Sequence, residues 1–333
     1  MGSEAIGVIE DSDSNSAVSA RSFTVRVPAS TSNLGAGFDC FGLALQLYLR
    51  VSAAVAPAGS EPCRVEGRGE GMADAELSRA ADNLIFRAMR LAAEREGLRL
   101  PPLRLTVHNE LPLGRGLGSS AAAIIAGILL TSLICDRKLS PETILRHAFE
   151  MEGHADNVAA CYYGGWVITC VKPDGSVVAI KRSWPPDLNV IVVSPDAFLK
   201  TAETRNALPG TVDRVDAVHN LQRVALFGAA IETGDYDLLW EAMQDRLHQA
   251  HRQSLVPGLT EALATPRQPG LVGIALSGAG PSVIALARDR LEEIGEAIAD
   301  NFRRRGMPAT VRLLGVDREG QKTTVINGTN RSG

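Results

Sequence analysis

Pro112, Leu113, Gly114, Arg115, Gly116, Leu117, Gly118, Ser119, Ser120, Ala121 and Ala122 are the run of residues whose types and spacing most directly suggest chemistry. The three glycines let the backbone curl so that successive N–H groups face one concavity. The apolar run that follows, from Ala123 to Ile134, reads as a buried helix whose positive N-terminal end points at the same place. Such a cradle holds an anion, and a nucleotide phosphate is its natural occupant. A Walker A loop is excluded, because that pattern needs a lysine the stretch lacks. The dinucleotide pattern GxGxxA does fit Gly116 to Ala121, and Asp136 stands about 20 residues on, where a ribose-binding acid belongs. It fails for lack of room, since the helical run continues to about Ile134 and leaves no turn or second strand to carry Asp136 to a sheet edge. The plain alternative is a helix N-terminus with glycine for close packing and serine as a cap.

Other residues of chemical interest cluster in four places. Pro28 to Asp39 is rich in Gly and Ser and contains Ser32, Asn33 and Asp39. Glu150, Glu152, His154, Asp156 and Asn157 fall close together. Lys200 to Pro209 carries Thr201 and Arg205, and Leu247 to Gly258 carries His248 and Arg252. A further glycine-rich turn runs Ser277-Gly278-Ala279-Gly280-Pro281. Each has a duller reading. Asn33 and Asp39 could be turn residues, and His154 a structural histidine. Asp245, His248 and Arg252 could be a solvated helix face, and Gly278 and Gly280 could close a hairpin.

The elements that must position these residues follow from periodicity and punctuation. Phe23 to Val27 reads as a strand, Pro28 to Phe38 as a loop, and Gly42 to Val55 as a second strand, with a polar stretch from Pro57 to Ala75 after it. Helical spacing runs from Asn83 to Gly97, and Leu103 to Val107 is a strand leading into the cradle. Ser140-Pro141 starts a helix through Phe149. Trp166 to Val171 and Val177 to Ile180 are strands joined by Pro173-Asp174-Gly175, and Trp184 to Asp187 is the candidate interdomain linker. Beyond it the pattern predicts a strand at Val190 to Val193, helices at Val212 to Ile231 and Leu238 to Gln249, and strands at Val272 to Leu276 and Val283 to Ala287. This mixture argues for an α+β class rather than one long doubly wound sheet.

With 333 residues, 45% of them hydrophobic, the chain can bury a large core and suits two domains better than one. A formal net charge of -4 offers no basic footprint for nucleic acid or an anionic membrane. The five cysteines, at positions 40, 63, 135, 161 and 170, are scattered without a CxxC pair, as expected of reduced thiols in a cytoplasmic protein. The first twenty residues have neither the basic start nor the apolar core of a signal peptide and are expected to be disordered. The stretch Ala121 to Ile134 is too short to span a bilayer.

The three glycine-rich segments occur in the order and at distances comparable to the signature motifs of the GHMP kinases, and over about residues 22–315 the chain resembles that superfamily. Within it the resemblance is closest to the homoserine kinases, through Ser32-Asn33 and Asp39, Gly153-His154-Ala155-Asp156-Asn157-Val158, the segment Lys200–Pro209 and the segment Leu247–Gly258. The resemblance implies a two-domain α+β GHMP kinase fold. A ribosomal protein S5 domain 2-like, ATP-binding N-terminal domain would occupy 22–183 and a ferredoxin-like C-terminal domain 184–315, flanked by tails at 1–21 and 316–333, the latter flexible. It further implies Mg2+ and ATP, transfer of the γ-phosphoryl group to the side-chain hydroxyl of L-homoserine in threonine biosynthesis, and a cytoplasmic homodimer.

The chemistry of a zwitterion agrees with that implication. Arg205 and Arg252 offer planar forks to a carboxylate, Asp39 can pair with an ammonium group, and the amides of Asn33 and Asn157 can fix a hydroxyl. Thr201 joins them as a substrate-binding residue by resemblance. The family pattern gives Ser120 and Glu152 to the metal, with Glu150 as competitor, and makes Asn33, Asn157 and Ser120 the catalytic set. Where mevalonate kinase carries an aspartate base this chain carries Asn157, so no dedicated carboxylate base is expected, and the hydroxyl proton leaves to a phosphate oxygen or solvent. Two other readings stand beside this one: a kinase of the same superfamily for another small alcohol, mevalonate-like or a sugar, and a non-catalytic nucleotide-binding sensor.

Overall fold

The computed structural model describes residues 21–71, 82–199 and 201–326. The tail expected over 1–21 therefore lies, apart from Arg21, outside the described residues. Two sheets organise the rest. The first has seven strands: β1 (Ser22–Asn33), β2 (Gly37–Val55), β3 (Cys63–Gly69), β4 (Leu103–Asn109), β5 (Trp166–Val171), β6 (Val177–Arg182) and β11 (Lys322–Ile326). Its main path is β11-β1-β2-β4-β3, and β5 joins β2 and carries β6. The long β2 pairs with β1 and also serves β4 along residues 49–55 and β5 along 41–43.

Among the described residues the helices of this half are α1 (Leu84–Arg95), α2 (Ser119–Ile134), α3 (Pro141–Glu152) and α4 (Ala155–Tyr163). The apolar run after the cradle is indeed helical, and α2 is apolar all round because α1, α3, α4 and β1 enclose it. Gly127 sits where α1 crosses: a Cβ there would lie 2.3 Å from the Ile85 carbonyl oxygen. Asn83 caps α1, its Oδ1 accepting from the Ile85 and Phe86 amides, and Ser140 caps α3 with Pro141 in the first turn, as their sequence signals require.

The second sheet is four-stranded and antiparallel in the order β10-β7-β9-β8, built from β7 (Asn189–Pro195), β8 (Leu271–Leu276), β9 (Val283–Ala287) and β10 (Ala309–Leu314). Between β7 and β8 come α5 (Thr201–Asn206), α6 (Arg214–Thr233), α7 (Leu239–Ala242), α8 (Gln249–Arg252) and α9 (Leu259–Leu263), and α10 (Leu291–Arg303) joins β9 to β10. Numbered within this half the strand order is 4-1-3-2, the ferredoxin-like arrangement. One hydrophobic core runs through the first half and reaches Val190, Val192, Ala275 and Ile284 of the second sheet, whose other face packs on α10 around Ile294, Ile298 and Phe302. Trp184 of the expected linker is buried and donates from Nε1 to the Leu188 carbonyl.

Several expectations need correcting. Pro28 to Phe38 is not a loop: β1 continues to Asn33 and a tight turn returns the chain at Gly37. Its polar residues gave the stretch a loop-like composition, but they pair with β2 and meet partners across the molecule. The polar stretch 57–75 holds β3, of which only Cys63 and Val65 face the core. The helix expected over Leu238 to Gln249 is broken, because the Asp245 carboxylate accepts from the Leu247, His248 and Gln249 amides and so ties a bend between α7 and α8. The segment from 316 is not a free tail over its described part. Val316 bridges Leu45, Asp317 is buried, and β11 pairs antiparallel with β1, so this segment returns to the first sheet. Residues 327–333 lie outside the described residues.

Candidate active site

The sequence of β1 explains how three distant segments meet. In a strand, alternate side chains face opposite ways. Ser30 and Ser32 both turn to Asn157, Ser30 Oγ donating to its Oδ1 at 2.8 Å and Asn157 Nδ2 donating to Ser32 Oγ at 2.9 Å. Thr31 and Asn33 turn to the last glycine-rich segment: the Thr31 and Ser277 hydroxyls are hydrogen-bonded at 2.8 Å and Asn33 Nδ2 donates to the Gly278 carbonyl at 3.0 Å. The neighbouring backbone is tied as well, with Gly278 N bonding the Ser32 carbonyl at 3.1 Å.

The cradle completes the junction. Gly114, Gly116 and Gly118 all have positive φ, and Gly118 ends the loop as the N-cap of α2 without any side-chain cap. The first-turn amides of α2 are thus left for a ligand. Gly116 passes so close to the last glycine-rich segment that a Cβ would lie 2.1 Å from the Ser277 carbonyl oxygen, and its own carbonyl accepts from Ser277 Oγ at 2.7 Å. Arg115 forms an ion pair with Asp196 at 2.7 Å, and Leu199 N bonds the Gly114 carbonyl at 3.0 Å, so the second half also grips this loop.

These segments line one cavity of about 370 Å3. One end carries the apolar Leu49, Leu84, Ile85, Val107 and Ala123, with Glu70, Asn83 and Asn109 from the neighbouring segments. The other holds Asn33, Asp39, Asn157, Arg205 and Arg252, with the cradle residues Gly114, Gly116, Leu117, Gly118, Ser119 and Ser120 between. Ser120 and Glu152 meet, Ser120 Oγ donating to Glu152 Oε1 at 2.5 Å. Glu150, the competing acid, is instead on the surface in an ion pair with Arg95 and does not line the cavity. Thr201 opens α5, but its side chain lies outside the described residues.

At the polar end Asp39 and Arg205 face each other as a half-exposed bidentate pair, at 2.8 and 3.2 Å. Asp39 is itself held by its amide, which donates to Asn33 Oδ1 at 3.1 Å. Arg252 is almost completely buried, and burial, with the nearby charge of Arg205, pulls it down to about 10. It is not on a solvated face. The Phe38 ring lies under this group, 5.6 Å from the Arg252 guanidinium carbon and 6.0 Å from that of Arg205.

His154 sits between two carboxylates, 3.0 Å from Asp156 and 3.4 Å from Glu152. Burial works against its charge, but the Asp156 hydrogen bond and the two negative charges outweigh it and leave the imidazole above its ordinary value. Asp156 is buried and does not line the cavity; Oδ1 accepts from His154 Nδ1 and from the Asn157 amide, while Oδ2 has no hydrogen-bond partner. It braces its neighbours and does not reach into the site. Sequence reading passed over Ser30, Thr31 and Phe38 as site residues; for the first two the signal available was a polar run at the end of a strand, and for Phe38 an aromatic beside Asp39.

Comparison with known proteins fits this geometry. The family model for the GHMP kinases N-terminal domain matches residues 83–165 and that for the C-terminal domain residues 227–304. The homoserine kinase of Moorella thermoacetica is 41% identical over 291 residues, covering 87% of this chain and 96% of that protein. That of Aquifex aeolicus is 38% identical, covering 90% and 98%. The crystal structure of homoserine kinase from Cytophaga hutchinsonii superposes with a TM-score of 0.79 over 97% of this chain and 100% of that one, at 26% identity. L. major mevalonate kinase, at 17% identity and a TM-score of 0.63, shares the fold alone. With the three glycine-rich segments joined around one cavity and relatives of this identity matched along nearly their whole length, the chain belongs to the GHMP kinases, in the homoserine kinase family.

Proposed function

We propose that this protein transfers the γ-phosphoryl group of ATP to the side-chain hydroxyl of L-homoserine, giving O-phospho-L-homoserine, the step expected of it in threonine biosynthesis. The observation that carries the reading is the division of one cavity into an uncapped glycine-rich cradle and a pocket with Asp39, Arg205 and Arg252. A zwitterionic alcohol needs both signs of charge at one end, which a mevalonate-like acid does not.

The phosphates lie on the amides of the cradle and of the first turn of α2, and the base takes the apolar end by Leu84, Ile85 and Val107. Asn33 and Asn157 receive the hydroxyl. Both amides are already oriented by neighbours, yet each retains hydrogen-bonding capacity, since an amide offers two donors and two lone pairs. The substrate oxygen bonds to the γ-phosphorus as the bond to the ADP oxygen breaks, and positioning supplies most of the rate. The proton passes to a phosphate oxygen or solvent, because Asp156 faces away. The converging hard-oxygen donors Ser120 and Glu152 suit Mg2+, which takes one or two carboxylates and completes its shell with phosphates and water. When bound, the ion neutralises charge on the phosphate oxygens. The five free thiols suit a cytoplasmic enzyme, and the family resemblance a homodimer, which sedimentation would check.

The test is coupled ADP release with magnesium-ATP against L-homoserine, L-serine, L-threonine and mevalonate. Turnover should depend on L-homoserine. Phosphorylation of mevalonate with L-homoserine untouched would remove the assignments of Asp39, Arg205 and Arg252.

A further inference from the structure

Arg205 is bonded to a carboxylate, but among the described residues Arg252 is not. Its three hydrogen bonds go to neutral acceptors on three separate segments: Nε donates to the Thr204 carbonyl at 3.3 Å, and Nη1 to the Gly278 carbonyl at 3.3 Å and to His248 Nδ1 at 3.2 Å. A buried cation without a bonded anion is costly. Here the arrangement fixes the plane of the guanidinium, while the carboxylates of Asp39, Asp245 and Asp156 act on its charge only from a distance and leave a bonded anion to be supplied by a ligand in the cavity.

His248 is the unusual member of that set. It is fully buried, and its other ring nitrogen, Nε2, lies 2.9 Å from the Gly35 carbonyl. A carbonyl only accepts, so Nε2 carries the proton and Nδ1 presents a lone pair to Arg252. Burial, helped by the charge of Arg252, holds the imidazole below its ordinary value against the opposing charge of Asp245, whose Oδ2 lies 3.7 Å from Nε2; this is in keeping with the neutral form. The ring is clamped by Phe38, stacked at 5.0 Å and 19°. Its backbone is clamped by Asp245, whose buried carboxylate accepts from the amides of the bend and from Asn220 Nδ2.

We propose that His248 is a positioning residue: as the neutral Nε2–H tautomer it accepts a hydrogen bond from Arg252 and aims that guanidinium at the substrate carboxylate without neutralising it. This rests on the reading of Arg252 as the carboxylate receiver.

Two substitutions separate the two ring nitrogens. In His248→Asn the side-chain oxygen stands near the place of Nδ1, so the acceptor for Arg252 survives and the bond to Gly35 is lost. In His248→Gln the amide nitrogen reaches the Gly35 carbonyl, and the acceptor is lost. KM and kcat are measured for L-homoserine, for ATP and for 3-aminopropan-1-ol, which is L-homoserine without its carboxylate.

His248→Gln should raise KM for L-homoserine about 10-fold, the scale of a lost bond to a charged group, with kcat within about 3-fold and with KM for ATP and for the amino alcohol unchanged. His248→Asn should restore KM for L-homoserine to within about 3-fold of the parent. The reverse ranking, or equal losses on L-homoserine and the amino alcohol, overturns the proposal. Arg252→Met separates the two layers of the argument. If it leaves KM for L-homoserine unchanged, the reading of Arg252 fails; if it raises that KM while His248→Gln does not, only the role of His248 fails. Should both His248 variants fail to fold, 15N NMR of the histidine-labelled parent decides. A buried imidazole with protonated Nε2 and bare Nδ1, responding to L-homoserine, is expected, and a protonated Nδ1 overturns the proposal.

Discussion

Asp156 and Asn157 are neighbours in sequence with opposite duties, one turned into the protein and one into the cavity. Replacing Asp156 with Asn keeps an oxygen for His154 and Asn157 but buries an amide nitrogen where Oδ2 now has no partner. We expect a loss of about 1–3 kcal/mol in urea unfolding. The expected fall in kcat is less than about 10-fold, well short of the 10²–10⁴-fold that removal of a general base produces. A kcat loss in that larger range with KM intact would make Asp156 the base. At this scale much was legible. Arg252, Asn157 and Glu152 all line the cavity, and Glu150 does not. What could not be read was pairing within the site. Nothing in the spacing of Asp39 and Arg205 says that they neutralise each other across 166 positions until a substrate of both charges arrives.

Among the elements, β1 and the cradle are shaped by contacts the sequence shows only as composition. Gly116 combines a φ of +73° with a Cβ position 2.1 Å from the Ser277 carbonyl, whereas Gly175, with φ +77°, has open space around it. Gly116→Ala should therefore raise KM for ATP at least about 10-fold and lower the unfolding midpoint. Gly175→Ala should carry only the backbone strain, about 1–3 kcal/mol, with KM for ATP unchanged. Similar ATP kinetics in both variants would mean that the close approach is unimportant. The same contrast explains which elements were readable. Helix α2 announced itself because it is apolar on every side, and α3 because its cap and proline are local signals. The end of β1 and the bend at Asp245 were misread because partners far along the chain decide them: Ser277 and Gly278 for the first, Asn220 in part for the second.

For the whole molecule, the two-layer α+β plan follows from the alternation of elements and the ferredoxin-like second half from the family resemblance, but the return of the chain to the first sheet after β10 follows from neither. The segment from Val316 onward belongs to the first sheet, and its two parts contribute unequally. The β11 residues are exposed, so ending the chain after Gln321 should cost only about 1 kcal/mol. Ending it after Gly315 also removes Asp317, which receives the Tyr48 hydroxyl and the Gly320 amide and whose carbonyl receives Gly165 N, and should cost about 3 kcal/mol or more. Equal losses in denaturant titrations of the two truncations would contradict this. Glycine-rich segments separated by 161 positions share the Ser277–Gly116 bond. Part of what holds the cradle is therefore synthesised long after it, so a nascent chain that ends before Ser277 lacks the hydroxyl that fastens Gly116 in place.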